Sequence, residues 1–328
     1  MAKISRPRFG SLQFWPRKRA LKAVPRVNWE AIDSEAAKDG FIGILAFKVG
    51  MATAILRDKT DKSMTAQKKI ALPVTILEVP KFKIFSVRFY KNGTVAGETV
   101  LSNDKELKRV LKVPKNVGSL EKVPDFDEIR VLVHPVMKGL FKKTPPIFEV
   151  AIRSSDPVSF VKQWIGKDIS LKDVNLGKVV DARSLTKGKG FSGPVKRYGI
   201  SLKSHKSEKG VRRPGSLGPW HPARVTFRIP MAGQLGMFTR IQYNMVIVSN
   251  SAMKHEVSGL EHGFKRYGTV KGDYIIVVGS VHGPPKREIV ITPAMRPTKK
   301  QSKKNYEFLE LKRCRLAFLR YPEKRKGK

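Results

Sequence analysis

Fifty consecutive residues, Lys187 to Gly236, show little hydrophobic periodicity in a chain that otherwise reads as short strands. Glycine, proline, lysine and arginine dominate this stretch. A structureless connection of that length is improbable inside a compact domain, so it must be functional or ordered by a partner. Its charge narrows the partner to nucleic acid, an anionic membrane or an acidic protein. Arg183 to Arg228 contains 12 basic residues and one acidic residue, Glu208. Two other segments are similar: Met1 to Arg26 has 8 basic and no acidic residues, and Arg296 to Lys328 has 13 basic and 3 acidic. Together they hold +29 of a formal net charge of +39, and the remaining 223 residues carry +10. Such an excess repels itself unless a polyanion neutralises it, and nucleic acid is the commonest reason for it.

The rest of the chain can bury a core. It has 328 residues, 41% of them hydrophobic, which excludes a disordered tail protein. The single cysteine, Cys314, excludes an internal disulfide and any zinc site built on two thiolates. Lys3, Arg6 and Arg8 interrupt the start, so it does not read as a signal peptide. The longest uncharged runs, Gln242 to Met253 and Tyr274 to Pro285, fall short of the roughly 18 to 20 residues that cross a bilayer. A soluble protein of the cytoplasm, without a membrane partner, is expected.

Met1 to about Asn28 reads as an extension with Phe9, Phe14 and Trp15 among its basic residues. Phe41 to Val49, ended by Gly50, and Ile70 to Val79, closed by Pro80, read as strands. Ile84 to Tyr90, Asn92-Gly93 and Thr94 to Val100 predict a hairpin, because Asn-Gly suits a primed turn. Asn103 to Leu111 predicts a short helix with Asn103 and Glu106 as a capping box. Asp156 caps a second predicted helix to Trp164, with Pro157 in its first turn. Ile129 to Val133, Ile147 to Ile152, Gly177 to Leu185, Ile241 to Val248, Tyr274 to Val281 and Glu288 to Thr292 complete the strands. The expected fold class is mainly β with an α+β insert. The boundaries are an N-terminal extension at 1–28, a discontinuous core at 29–80 and 167–292, and an insert at 81–166. A long basic loop occupies 187–236 and a C-terminal extension 293–328.

Several motifs suggest chemistry and fail on context. Gly188-Lys189-Gly190-Phe191-Ser192-Gly193 matches a dinucleotide fingerprint, but Pro194 and Gly199 follow and no helical pattern begins. Close backbone approach to phosphates, with charge from Lys187, Lys189, Lys196 and Arg197, is the better account. Pro214-Gly215-Ser216-Leu217-Gly218 misses the nucleophile elbow at its first position, and no apolar strand leads into it. His255-Glu256 lacks the second histidine of a metalloprotease helix, since Gly259 stands there. No metal, cofactor or small-molecule substrate is expected. An RNA-modifying or RNA-processing enzyme remains the alternative, and it would need converging acid, base or metal ligands in a pocket.

The most informative stretch is Arg212-Arg213-Pro214-Gly215-Ser216-Leu217-Gly218-Pro219-Trp220-His221-Pro222-Ala223-Arg224-Val225. A loop tryptophan is normally buried in a local cluster. The functional alternative is a stiff finger: proline limits the entropy lost on ordering, arginine pairs with phosphates, and the indole stacks on an unpaired base.

At these residues the sequence resembles the ribosomal large-subunit protein L-three family, in its archaeal and eukaryotic form, over essentially the whole chain. Lys187 to Gly193 and Pro219 to Val225 carry the resemblance, with Met231-Ala232-Gly233-Gln234-Leu235-Gly236 and Gly263-Phe264-Lys265-Arg266-Tyr267-Gly268. Ser5-Arg6-Pro7-Arg8-Phe9-Gly10-Ser11-Leu12 also matches. The resemblance implies a β-barrel core, an inserted α+β module and an extension, here about Phe191 to Leu235, that enters ribosomal RNA toward the peptidyl transferase centre. It also implies a seat near the RNA's 3′ end, a part in early subunit assembly, neighbouring ribosomal proteins as partners, and no catalytic residue. The expected RNA-binding residues are Arg6, Arg8, Phe9, Trp15, Arg17, Lys18, Arg19, Lys187, Lys189, Lys196, Arg197, His205, Arg212, Arg213, Trp220, His221, Arg224 and Arg228. Eukaryotic members carry a methylated histidine in the extension. His205 is the nearest match, at a longer spacing from Trp220.

Overall fold

A computed structural model of the chain describes residues 9–32, 40–121, 123–250 and 263–312. It is mainly β, in two larger antiparallel sheets. Strands β1 (Gly40–Phe41), β4 (Phe82–Lys91), β5 (Thr94–Val100), β6 (Glu128–Pro135) and β7 (Phe148–Arg153) form the first, in the order β1-β7-β6-β4-β5. The second holds β2 (Ile44–Asp58), β3 (Lys69–Val79), β8 (Val179–Leu185), β11 (Thr239–Asn250), β12 (Asp273–Val278), β13 (Glu288–Pro293) and β14 (Tyr306–Lys312). Its order is β13-β8-β11-β12-β3-β2-β14, and β13 also pairs with β2 from Glu288↔Phe47 to Ile291↔Ile44.

The sequence pattern shows why some of these elements form. From Gly50 onward, β2 alternates exposed or half-buried residues with buried Ala52, Ala54 and Leu56, as a strand with one covered face should. The hairpin between β4 and β5 forms at Asn92 (φ 49°) and Gly93 (φ 72°), the backbone a primed turn requires. Helix α1 (Pro157–Trp164) starts at Asp156, whose carboxylate accepts from the Ser159 N–H at 3.4 Å and from the Ser159 hydroxyl at 2.6 Å. The two sheets share one buried cluster. At their junction the Phe41 ring lies 5.8 Å from Phe82, 5.3 Å from Phe160 and 6.0 Å from Trp164.

Three expectations need correction. The strand beginning at Phe41 does not stop at Gly50. Phe41 belongs to the first sheet, and β2 runs through Gly50 to Asp58, with its register against β3 shifting between Lys48 and Gly50. The glycine makes room for packing: a Cβ there would sit 3.1 Å from Phe264 Cδ1. The helix over Asn103 to Leu111 does not form either. A single 3-10 turn, Leu107–Arg109, replaces it, and the Glu106 carboxylate accepts from the Met137 N–H at 3.1 Å instead of closing a capping box. Finally, a helix does follow Gly193. It is α2 (Pro194–Tyr198), five residues long and ended by Gly199 in the left-handed region. Tyr306–Lys312, within the C-terminal basic stretch, form β14 against β2 because Phe308 and Leu311 are buried there.

Candidate nucleic-acid interface

The long basic segment leaves the second sheet from β8 and returns to it at β11. Its base is closed by main-chain bonds: Thr186 N–H to Phe238 O at 2.9 Å, Lys189 N–H to Leu235 O at 2.9 Å, and Leu235 N–H to Gly190 O at 2.8 Å. Strands β9 (Phe191–Ser192) and β10 (Gly233–Gln234) pair just beyond. Gly236 has φ +79°, and a Cβ on it would lie 2.0 Å from the Lys187 carbonyl oxygen. Only glycine fits that crossing. By contrast, Gly190, Gly193, Gly215 and Gly218 would meet nothing within 4 Å, so their bare backbone faces solvent.

From Gly199 to Ala232 the segment contains turns and bends and no helix or strand. Lys187, Lys189, Lys196, His205, Arg212, Arg213, His221, Arg224 and Arg228 are exposed. Trp220 is 86% exposed and Phe191 80% exposed. Among the described residues the only ring near Trp220 is His221, at 6.5 Å and 87°. Trp220 therefore does not sit in a local hydrophobic cluster.

Other residues singled out in the sequence are engaged within the chain. Arg197 Nε donates to Gln234 O at 3.0 Å, its Nη1 to Met231 O at 2.8 Å, and its Nη2 to Arg17 O at 3.3 Å. Arg17 Nη1 donates to Arg197 O, and its guanidinium lies 4.1 Å from the Tyr198 ring centre. Trp15 is half-buried between Tyr198, at 6.3 Å, and Phe227, at 5.8 Å. The Ala20 N–H reaches Met237 O at 2.9 Å. The N-terminal segment is thus stapled to the base of the long loop. Lys18 and Arg19 stay exposed, and Phe9 is half-buried; Arg6 and Arg8 lie outside the described residues.

Sequence reasoning missed Arg240 and Phe14 as partners. The Arg240 guanidinium stacks 4.1 Å from the Phe14 ring centre, and its Nη1 donates to Thr239 O at 2.8 Å. No local signal links a strand residue of β11 to a ring in the N-terminal segment. Missed too was positive charge beneath the surface. Burial, and then the charge of Arg17, pushes the Arg240 pKa down. Burial, Arg240 and Lys48 together lower that of His282. Burial and Lys187 bring Lys48 down to about 8, where its ammonium donates to the carbonyls of Val281 and Gly283. Among the described residues no acidic side chain offsets any of these three shifts.

The build is that of a basic β protein: a β body carrying a long cationic segment with exposed aromatic rings. Among the described residues no helix is long and apolar enough to cross a membrane. Comparison with known proteins gives the particular family. Residues 1–116 and 100–314 match the family model described as Ribosomal protein L3. The chain is 37% identical over 317 residues to the large ribosomal subunit protein uL3 of Methanothrix thermoacetophila, covering 90% of this chain and 93% of that one. It is 38% identical to the uL3 of Methanocaldococcus jannaschii, covering 90% and 92%. With the uL3 of Methanothermobacter thermautotrophicus it shares 37% identity, covering 92% and 95%. The chain belongs to the ribosomal protein L3 family, and these relatives are archaeal.

Proposed function

We propose that the chain is a non-catalytic structural constituent of the large ribosomal subunit, in the cytoplasm, that binds large-subunit ribosomal RNA near its 3′ end. It supports early assembly beside neighbouring ribosomal proteins and extends a basic finger toward the peptidyl transferase centre. In this reading 29–80 and 167–292 are a barrel core and 81–166 an inserted module. The pairing of β13 with both β8 and β2 supports the barrel. The relatives' printed names support the particle.

One observation carries the finger: Trp220 stands 86% exposed on a cationic segment whose base is fixed by Arg197 and Gly236. An apolar ring costs free energy in water and gains it by stacking on a base. The bare glycines along the segment let main chain lie against phosphates. The test is association as a function of salt. If about 10 or more phosphates are neutralised, log affinity for the RNA falls against log salt with a slope near −7 to −9. The chain should also sediment with large subunits after a moderate salt wash. A slope shallower than about −2 would overturn the electrostatic reading.

A further inference from the structure

The N-terminal segment arches over Phe238, Thr239 and Arg240 and leaves an open cavity of about 690 Å³ beneath it. That lies within the roughly 300–1,000 Å³ typical of sites for small organic groups. Six basic side chains line it, from Arg17, Lys18, Arg19, Lys22, Arg26 and Arg240, and among the described residues no carboxylate does. Arg17 and Arg240 already have partners within the chain. Lys18, Arg19 and Lys22 are exposed at the rim. One apolar side chain of the lining is open: Phe14 is 49% exposed, with one face against the Arg240 guanidinium.

A second hollow, of about 390 Å³, lies along the same segment and shares Lys22 and Arg26 with the first. It contains Glu149, whose carboxylate accepts from Tyr90 Oη at 2.6 Å and lies 3.9 Å from Arg130. Its two arginines from the first sheet are already paired, Arg88 with Glu98 at 2.8 Å and Arg130 with Glu128 at 2.6 Å. Among the described residues the first cavity has no carboxylate pairing of this kind, and Arg17 and Arg240 in its lining repel each other. An anion with a flat apolar part fits the larger cavity and not the smaller one.

We propose that this cavity receives one unpaired nucleotide of the RNA, its base against the open side of Phe14 and its phosphate among Lys18, Arg19 and Lys22. The inference rests on the ribosomal RNA reading above and adds a defined seat to it. Aromatic stacking tolerates any base, and the flanking cations select for a backbone phosphate. The finger at Trp220 is a separate site.

The experiment uses large subunits assembled with the full chain carrying p-azidophenylalanine at Phe14 or, in a second preparation, at Trp220. Light should join Phe14's replacement to a single ribosomal RNA nucleotide. In subunits carrying Phe14→Ala, that base should become at least about fivefold more reactive to a reagent for unpaired base edges. If the Trp220 probe reaches RNA while the Phe14 probe reaches none, a scatter of positions or a neighbouring protein, the nucleotide seat is wrong and the RNA reading stands. If neither probe reaches RNA, the RNA reading itself fails.

Discussion

Arg17 and Arg197 hold each other's main chain. Arg17 Nη1 donates to the Arg197 carbonyl, Arg197 Nη2 donates to the Arg17 carbonyl at 3.3 Å, and the Tyr198 ring lies 4.1 Å from one guanidinium and 5.1 Å from the other. Two like charges come together because carbonyl oxygens and a ring face surround them. Neither residue is therefore interchangeable with lysine, which lacks the planar fork. Each single alanine variant should weaken docking of the N-terminal segment by about 2 kcal/mol, the scale of hydrogen bonds to a charged group. The double variant should cost clearly less than the sum, because the sites share partners. Amide exchange at Ala20, whose N–H reaches Met237 O, reads this directly. Additive losses would show that the pair acts independently.

Gly236 and Gly193 make opposite predictions. Gly236→Ala forces a Cβ to 2.0 Å from the Lys187 carbonyl at a φ of +79°, so the base of the loop must open. Backbone strain of this kind costs about 1–3 kcal/mol before any clash is counted. Gly193 has φ −66° and open space around it, so Gly193→Ala should change stability by less than about 1 kcal/mol. If its bare backbone lies on RNA phosphate, Gly193→Ala should nonetheless lower RNA affinity. Urea unfolding and filter binding on both variants separate fold from contact. Equal effects of the two on stability would contradict this account.

Lys48 gives the chain a particular pH response. Burial and the charge of Lys187 bring its pKa from 10.5 down to about 8. Between those values the unfolded chain binds a proton that the folded chain has released. Stability contributed through this group therefore rises with pH across that window, by at most about 1.4 kcal/mol per pH unit. Below about pH 8 both states are protonated, and the penalty of a buried ammonium is fully present. Lys48→Met should flatten the difference. Urea melts of both proteins between pH 7 and pH 10 should converge or cross as pH rises, in favour of the natural residue. Parallel curves would place Lys48 in a solvated setting.

Much of the fold is legible in the sequence because short apolar, β-branched runs bounded by turn residues mark strands buried on both faces. The runs that become β6, β8 and β13 are of this kind, with every or nearly every position buried. Strand β14 escapes, because Glu307, Glu310 and Lys312 set its buried Phe308 and Leu311 inside a run that reads as a charged tail. The reading at Glu106 fails for another reason: Met137 N–H, distant in sequence, competes for the same carboxylate. The exposed cations of the long loop were identifiable by type. Which arginines bind carbonyls instead of facing solvent was not, since Arg197 and Arg212 look alike until Gln234 and Met231 fold back onto one of them.

Trp220 and the pair Arg212 and Arg213 should fail differently. All three are exposed, so replacing them leaves the β body intact. Trp220→Ala removes a flat surface worth about 1–3 kcal/mol if a base stacks on it. That is small against the phosphate contacts of a chain with a net charge of +39, so subunits should still assemble. Peptidyl transfer, tRNA binding or sensitivity to inhibitors of that centre should change in the assembled particles. Arg212→Glu with Arg213→Glu reverses two charges on the finger, a net change of four units, and sets two carboxylates against docking on phosphate. This variant should reduce particle yield first, and the loss should deepen as salt falls, because repulsion is then less screened. Particle yield against activity per particle, measured for both variants, decides the matter. If Trp220→Ala halts assembly while its few particles work normally, the indole is needed for assembly, and the finger does not tune the catalytic centre.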